Sequence, residues 1–485
     1  MRKIDKEQFL TTLFCPTYGW LLRSKTSGKP FSVADQLRID EGMEVHRRAR
    51  GLFPTGVMVS GPTEAAMQTT QQLMSDPETT VIFEATFIYQ DYIAKADILI
   101  RDDDDNAGWK IIEVKSNVND DTELVDDLAY TTFVAQAAGL NLSTCSLLLV
   151  NRNYRLDMFD EDLFNEAEHT PDVHARATEF NEQSERISEI LLSDEKPVPV
   201  LRWECKGCDI FEDCCGRNIE DHIFDLPRIS HTRFCQLRDM DIVNIKNIPA
   251  DFELTNSQSR VRQAVLTGKP VVDLTGLRNA LESLEDPVHY LDFETVQTCL
   301  PLYEGIAPYR QIPTQYSLHI QTGEVLEHRQ YLAIDPQQNC TRQLAENLVR
   351  DCINEGSIVV YTMFEKTIIE GLASTFPDLG DELRGLAGRL VDLCAMLKAY
   401  YYHPGFHGSY SIKKVLPVVA PDMGYDGMEV NNGSDASALF AQMARSQYEP
   451  EEIERIRNDL MEYCGVDTMA MVRLVEEMRK VVGLE

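Results

Sequence analysis

Three sets of residues in this chain have the types and spacing that chemistry needs. The first is Asp97 followed by Glu113-Val114-Lys115. Two carboxylates and a nearby backbone carbonyl make an oxygen seat for a hard cation such as Mg²⁺ or Mn²⁺. Such a cation lowers the pKa of a bound water and offsets phosphate charge, while a lysine steadies a developing oxyanion. The combination suits phosphodiester hydrolysis. Charged residues alternate on the wet face of many strands, so D-x(n)-E-x-K carries little weight alone. Here, however, Asp97 is flanked by Ala96, Ile98 and Leu99, and Glu113 by Ile111, Ile112 and Val114. Carboxylates among apolar neighbours need compensation. His46, in Glu41-Gly42-Met43-Glu44-Val45-His46, offers a nitrogen ligand, and Glu84 is a weaker candidate.

The second set is split between two distant segments. Tyr290-Leu291-Asp292-Phe293-Glu294-Thr295 puts Asp292 and Glu294 on one face of an otherwise apolar strand. Tyr463-Cys464-Gly465-Val466-Asp467 places Tyr463 and Asp467 one helical turn apart. Carboxylates from such elements can hold two divalent metals, one for the attacking water and one for the leaving oxygen. The third set is Cys205, Cys208 and Cys214, spaced C-x2-C-x5-C, with Cys215 as an alternative to Cys214. Zinc and iron–sulfur clusters both take four cysteines, and spacing alone leaves the two nearly even. Cys145, Cys235, Cys299, Cys340, Cys352, Cys394 and Cys464 stand in apolar context and read as small core residues.

These groups must be positioned by regular elements. Residues 1–50 carry a helical apolar rhythm. Strands are expected over 80–89, 92–101 and 109–116, with a polar turn from Asp102 to Gly108. A hairpin centred near Asp105 puts Asp97 opposite Glu113, and Glu113 and Lys115 share a face, so three groups converge on one side. Helices are expected over 122–139 and 172–192, with a strand at 146–151. Pro197 and Pro199 interrupt the chain before the cysteines. Short helices fill a connector at 221–286. A new domain opens at Pro287, with strands over 288–295, 315–321, 327–333 and 358–361, helix 340–354, and a long helix 451–482.

At 485 residues the chain is too long for a single core. An apolar fraction of 43% with 8% aromatics is that of a soluble globular protein. The amino-terminal segment lacks a signal-peptide apolar stretch, and no run approaches the roughly 18 apolar residues of a membrane span. A cytoplasmic protein without a membrane partner is expected, so its twelve cysteines are not expected as disulfides. The net charge of −33 opposes generic nucleic-acid binding, so such a substrate needs a local basic groove or a partner that supplies the charge.

In order along the chain, Cys15, Gly42-x-x-x-His46, Asp97, Glu113-x-Lys115 and then Cys205, Cys208 and Cys214 resemble the RecB-like branch of the PD-(D/E)xK nucleases. Specifically, they are similar to its iron–sulfur subgroup, which includes AddB-type and CRISPR-associated exonucleases. The resemblance covers residues 1–220. It implies a restriction-endonuclease-like α/β core and a [4Fe-4S] clasp held by Cys15, Cys205, Cys208 and Cys214. It also implies a metal site of His46, Asp97 and Glu113 with Lys115 catalytic. The family's Q-x3-Y helix motif is matched loosely, by Tyr130 and Gln136 after Asp127.

Residues 287–485 resemble the DEDD exonucleases of the ribonuclease H-like fold, in the subclass with Tyr-x3-Asp. The resemblance implies that Asp292, Glu294, Glu365 and Asp467 bind metal and that Tyr463 orients the water. Tyr361 and Glu365 stand where that family has Asn and Asp, a departure that puts full competence in question, and Asp392 is an alternative. Gly408 to Pro417 resembles a segment of bacterial proteins that pair these two domains, and it brings Lys413, Lys414 and Tyr410 near a substrate path. The expected whole is a Mg²⁺- or Mn²⁺-dependent exonuclease acting on DNA ends or single strands, or on RNA, in repair or anti-phage defence. A helicase or defence-system subunit is the expected protein partner. The alternatives are that one domain alone is active, or that the chain is a non-catalytic nucleic-acid-binding or scaffold subunit.

Overall fold

The computed structural model describes residues 3–23, 31–102, 108–352, 355–425 and 427–484. The expected turn around Asp105 falls on residues 103–107, outside the described ones, as do the last two residues of the helix expected over 340–354. By internal packing the chain forms two compact units, Met1–Pro199 with Gln297–Arg310, and Val200–Val296 with Gln311–Glu485. This division differs from the sequence boundaries at 220 and 287. The cysteine segment and the connector pack with the second unit, and a short stretch after Val296 packs with the first.

The first unit is built on a six-stranded mixed sheet in the order β1 (Val57–Met58), β2 (Val81–Tyr89), β3 (Tyr92–Arg101), β4 (Trp109–Lys115), β5 (Leu142–Val150) and β6 (Phe164–Glu168). β1 runs parallel to β2 and β4 parallel to β5, and the other neighbours are antiparallel. Its helices are α1 (Lys6–Phe14), α2 (Pro16–Leu22), α3 (Val33–Gly51), α4 (Thr63–Ser75), α5 (Thr122–Ala137) and α6 (Thr170–Leu192). Strand alternation sorts apolar side chains onto two faces. Ile111, Leu147 and Leu149 pack with residues of α1, α5 and α6. Ile112, Val114, Leu148 and Val150 pack with Val45 and Ala49 of α3.

Two sets of contacts close this unit. Trp20 Nε1 donates to the Ser193 carbonyl at 3.0 Å and Thr17 Oγ1 to Pro197 O at 3.3 Å, so α2 is fastened to the chain leaving α6. In the stretch after Val296, the Cys299 amide donates to the Glu41 carboxylate at 3.0 Å, and the Tyr309 hydroxyl donates to Ser116 O at 3.0 Å.

The second unit holds a five-stranded mixed sheet and a two-stranded one, β7 (Val271–Val272) against β13 (Tyr401–Tyr402). The larger sheet contains β8 (Val288–Val296), β9 (Ile312–Thr322), β10 (Val325–Leu332), β11 (Ile358–Val360) and β12 (Leu390–Asp392), in the order β10-β9-β8-β11-β12. The first three in sequence are antiparallel, and β11 and β12 join parallel to β8. Leu291 and Phe293 pack on one face with Leu344, Leu348 and Ile369. Tyr290 faces the other way, into a core with Leu474, Val475 and Met478 of the long helix Pro450–Val482. Phe234, Val261 and Leu277 of the connector belong to that same core.

The chain is therefore a mixed α/β multi-domain protein, with 16 α-helices among the described residues. Among those residues no helix is long and apolar enough to cross a membrane.

Candidate functional site

In the first unit the β3–β4 ladder pairs Ile98 with Ile112 and Leu99 with Ile111, so one step further Asp97 stands opposite Glu113. The Val114 amide donates to Asp97 Oδ2 at 2.7 Å, which pins that carboxylate against β4. On the other side of β3, Phe83 pairs with Ile98 and Ala85 with Ala96, leaving Glu84 level with Asp97. Glu84 adopts φ 56°, a left-handed conformation that is uncommon for a residue with a side chain and a frequent mark of a site. His46, from α3, brings Nδ1 to 3.8 Å from Asp97 Oδ1. His46, Glu84 and Asp97 offer ligand atoms that all lie within 4.8 Å of one another.

Glu113 is 4% exposed and is held differently. Lys6 of α1 donates to its Oε1, Lys115 stands 3.3 Å from the same oxygen, and Oε2 is buried without a hydrogen-bond partner. Lys115 in turn donates to Asp127 of α5. Burial acts to raise Glu113, but Lys6 and then Lys115 outweigh it and hold the carboxylate below its usual range. Burial and then Glu113 push Asp97 well above that range. Burial lowers His46 against the pull of Glu113, so its ring is neutral at pH 7 with a lone pair to give. Burial alone would lower Lys115, yet Glu113 and Asp127 raise it, so it stays cationic.

The second unit places Asp292 and Glu294 on the β8 face that meets the helix Pro450–Val482. β9 fastens that helix: Gln315 Nε2 donates to Leu460 O at 2.8 Å, and Ser317 Oγ and His319 Nδ1 bond Thr468 Oγ1 at 2.7 and 2.8 Å. Asp292, Glu294 and Asp467 offer ligand atoms within 4.8 Å of one another. Tyr425 donates to Asp467 Oδ1 at 2.5 Å, and Lys413 Nζ lies 5.1 Å from the Tyr463 ring centre and 5.2 Å from that of Tyr425. Glu365 lies in the first turn of the helix Phe364–Thr375, with Oε2 buried and unpartnered.

Burial and then mutual repulsion dominate here. Asp292 is pushed well above its usual range by burial, Asp467, Glu294 and Glu365. Glu294 is pushed up to about 8 by burial and Asp467. Glu365 is raised to about 7 by burial and Asp392. Asp467 is raised by burial against the bonds from Tyr425 and Tyr463. Four carboxyls facing one another, Glu365 and Asp467 buried and Asp292 and Glu294 half-buried, bind protons or cations, because the alternative is uncompensated charge.

Most residues singled out in sequence converge on one of these two places. Some do not. Tyr130 donates to Ile4 O and Ile93 O inside the core, and Gln136 bonds His174 at 2.9 Å, so neither joins the first site. Asp392 caps the helix Leu393–Tyr400 through Ala395 N while adding to the charge felt by Glu365. Nothing in the local sequence of Lys6 or Tyr425 distinguishes them from surface residues, and Asp127 stands out there only as the residue that opens the Tyr130 segment.

The cysteines divide. Cys15 belongs to the first unit and Cys205, Cys208 and Cys214 to the second. Successive tight turns, Cys208 N to Cys205 O at 3.2 Å and Cys214 N to Phe211 O at 3.0 Å, string the latter three together. Cys215 is pushed up to about 12 by burial and then by the adjoining Cys205 and Cys214 thiols, so it stands within the same thiol group.

Two compact α/β units, each with buried carboxylates gathered at a mixed sheet, define the class of this protein. Residues 289–411 match a family described as "Domain of unknown function (DUF2779)". Over 254 residues the chain is 24% identical to "Uncharacterized protein MG366" of Mycoplasma genitalium, covering 48% of this chain and 38% of that protein. The family match includes Asp292, Glu294, Glu365 and Asp392 and stops short of Tyr425, Tyr463 and Asp467.

Proposed function

We propose that this protein is a Mg²⁺- or Mn²⁺-dependent nuclease that hydrolyses phosphodiester bonds, with DNA ends or single strands as substrate and RNA as the alternative. One observation carries the reading: half-buried Asp292 and Glu294 and buried Asp467 converge within 4.8 Å, with Glu365 adding to the charge they feel. The central strand that presents Asp292 and Glu294, with Asp467 on the long helix against it, supports a ribonuclease H-like, DEDD-type assignment for residues 287–485. The Asp97–Glu113 pairing with Lys115 supports a PD-(D/E)xK assignment for the first unit.

The donor sets fit hard cations. They are carboxylates, one with an orphaned buried oxygen in each site, plus a neutral His46 in the first. Asp292, Glu294, Glu365 and Asp467 would hold metal in the second unit, and His46, Asp97 and Glu113, with Glu84, in the first. A bound cation supplies charge to the phosphate and acidity to water. The chain's own residues do the rest. Lys115, kept cationic by Glu113 and Asp127, presents positive charge beside the carboxylates. Tyr463 keeps its proton, because burial and then Asp467 drive its pKa up, and serves as a hydroxyl donor for orienting water.

The cysteines offer soft donors as well, and crowded thiols such as Cys205, Cys214 and Cys215 gain by binding a metal as thiolates. A [4Fe-4S] cluster on Cys15, Cys205, Cys208 and Cys214 is the proposed occupant, with zinc as the rival and Cys215 as the alternative ligand. Iron-free, colourless protein from anaerobic purification would remove the iron–sulfur assignment.

A scaffold role in a repair or defence complex is the second reading, and the net charge of −33 favours it. End-labelled DNA and RNA with Mg²⁺ or Mn²⁺ separate the two. Wild type degrades one of them. Lys115→Ala or Asp292→Ala lowers the rate by about 10²–10³-fold, according to which domain is active. Absence of metal-dependent cleavage by wild type, with a helicase or defence-system partner added, favours the scaffold.

A further inference from the structure

Within the second unit a cavity of about 730 Å³ opens among Arg228, Arg260, Lys398, Tyr361, Tyr410 and the Ser411–Ile412 corner. That volume suits a ligand of drug or nucleotide size. Its lining is the reverse of the chain's composition. Against 79 acidic and 46 basic residues overall, three cations and no carboxylate line it among the described residues.

Two helix amino ends reach it as well. Ser257 and Arg260 belong to the start of Asn256–Thr267, and Ser411 and Ile412 to the start of Ile412–Val419. Backbone N–H groups and helix dipoles there favour an anion, and guanidinium forks match phosphate oxygens. The wall is also built tightly. Gly408 has φ 74°, and a Cβ there would lie 2.1 Å from the Asp225 carbonyl oxygen. The Tyr361 hydroxyl donates to Tyr410 O, Arg260 Nη1 donates to Lys398 O at 2.8 Å, and the Lys398 ammonium stands 5.9 Å from the Tyr410 ring centre.

The cavity adjoins the carboxylate site through shared elements. Tyr361 stands four residues before Glu365, in the turn between β11 and the helix that holds Glu365, and Lys413, next to Ile412, lies over the Tyr463 and Tyr425 rings. We propose that this cavity binds a nucleotide of the substrate strand. Its phosphate would be held by Arg228, Arg260 and the helix amino ends, and its base would lie against the aromatic wall. The nucleotide identity rests on the nuclease reading of the neighbouring carboxylates, whereas the preference for an anion rests on the cavity itself.

Calorimetric titration of the full chain in EDTA, with dAMP, deoxyadenosine and inorganic phosphate as probes, tests this apart from cleavage. Saturable dAMP binding at least tenfold tighter than either deoxyadenosine or phosphate is expected. Arg228→Gln and Arg260→Gln should each weaken it at least tenfold, with unchanged circular dichroism. Arg228 is exposed, so its variant keeps the test valid if Arg260→Gln fails to fold. Absence of dAMP binding, equal binding of deoxyadenosine or phosphate, or wild-type affinity in Arg228→Gln overturns the proposal. The cleavage assay separates the two ideas. If Asp292→Ala abolishes cleavage while Arg228→Gln binds dAMP normally, the cavity proposal fails alone. If Asp292→Ala cleaves as wild type while Arg228→Gln loses dAMP, the assignment of the carboxylate site fails and the anion site stands.

Discussion

Glu294 and Glu365 have pKa values raised to about 8 and about 7 from an ordinary 4.5, and this sets how the chelated protein responds to pH. The folded form holds these protons more tightly than the unfolded chain does. The stability they contribute is therefore fully present below about 4.5 and is lost as pH rises through about 7 and about 8. In EDTA, thermal or urea melts should show falling stability from pH 5 to pH 8.5. Mn²⁺ should restore it at the upper end and do little at the lower, since protons and metal compete for the same oxygens. Flat melts across that range would contradict the burial of these carboxyls. Asp292, Glu294, Tyr463 and Asp467 were legible as residues because their spacing matches strand and helix periods. Tyr425 was not, because its role depends on a contact across the fold.

At the scale of elements, the hairpin of β3 and β4 followed from apolar patterning, and the pairing Ile98↔Ile112 is what a centre at 105 requires. The outside partners of Glu113 and Lys115, Lys6 and Asp127, come instead from α1 and α5, whose register against the sheet is decided by packing. Phe9 sets it: its ring lies 5.6 Å from Tyr92, 5.1 Å from Tyr130, 5.8 Å from Phe133 and 5.2 Å from Phe180. Phe9→Ala should cost about 3–5 kcal/mol in chemical denaturation. Because Lys6 shares α1 with Phe9, the same variant should disturb the Lys6–Glu113 contact. Tyr130 shows the opposite error, a residue noticed for a motif that the structure spends on the core.

At the scale of the whole molecule, the chain leaves the second unit after Val296, packs residues 297–310 in the first, and returns at Gln311. Glu41 anchors that excursion through the Cys299 amide. Glu41→Ala should therefore speed amide exchange at 299–300 by about tenfold or more, read by hydrogen-exchange mass spectrometry, while the β8 amides keep wild-type protection. The net charge of −33 is a property of the sum, and the basic cavity is a local exception that composition conceals.

Sequence by itself determined the periodic features: strands, helices, and which carboxylates share a face, since these depend on neighbours two to four residues away. Only the tertiary structure decided which unit each segment joins, that Lys6 and Asp127 bracket Glu113 and Lys115, and that cations far apart in the chain line one cavity. Those outcomes depend on how apolar faces pack, and packing brings together residues whose separation along the chain carries no signal.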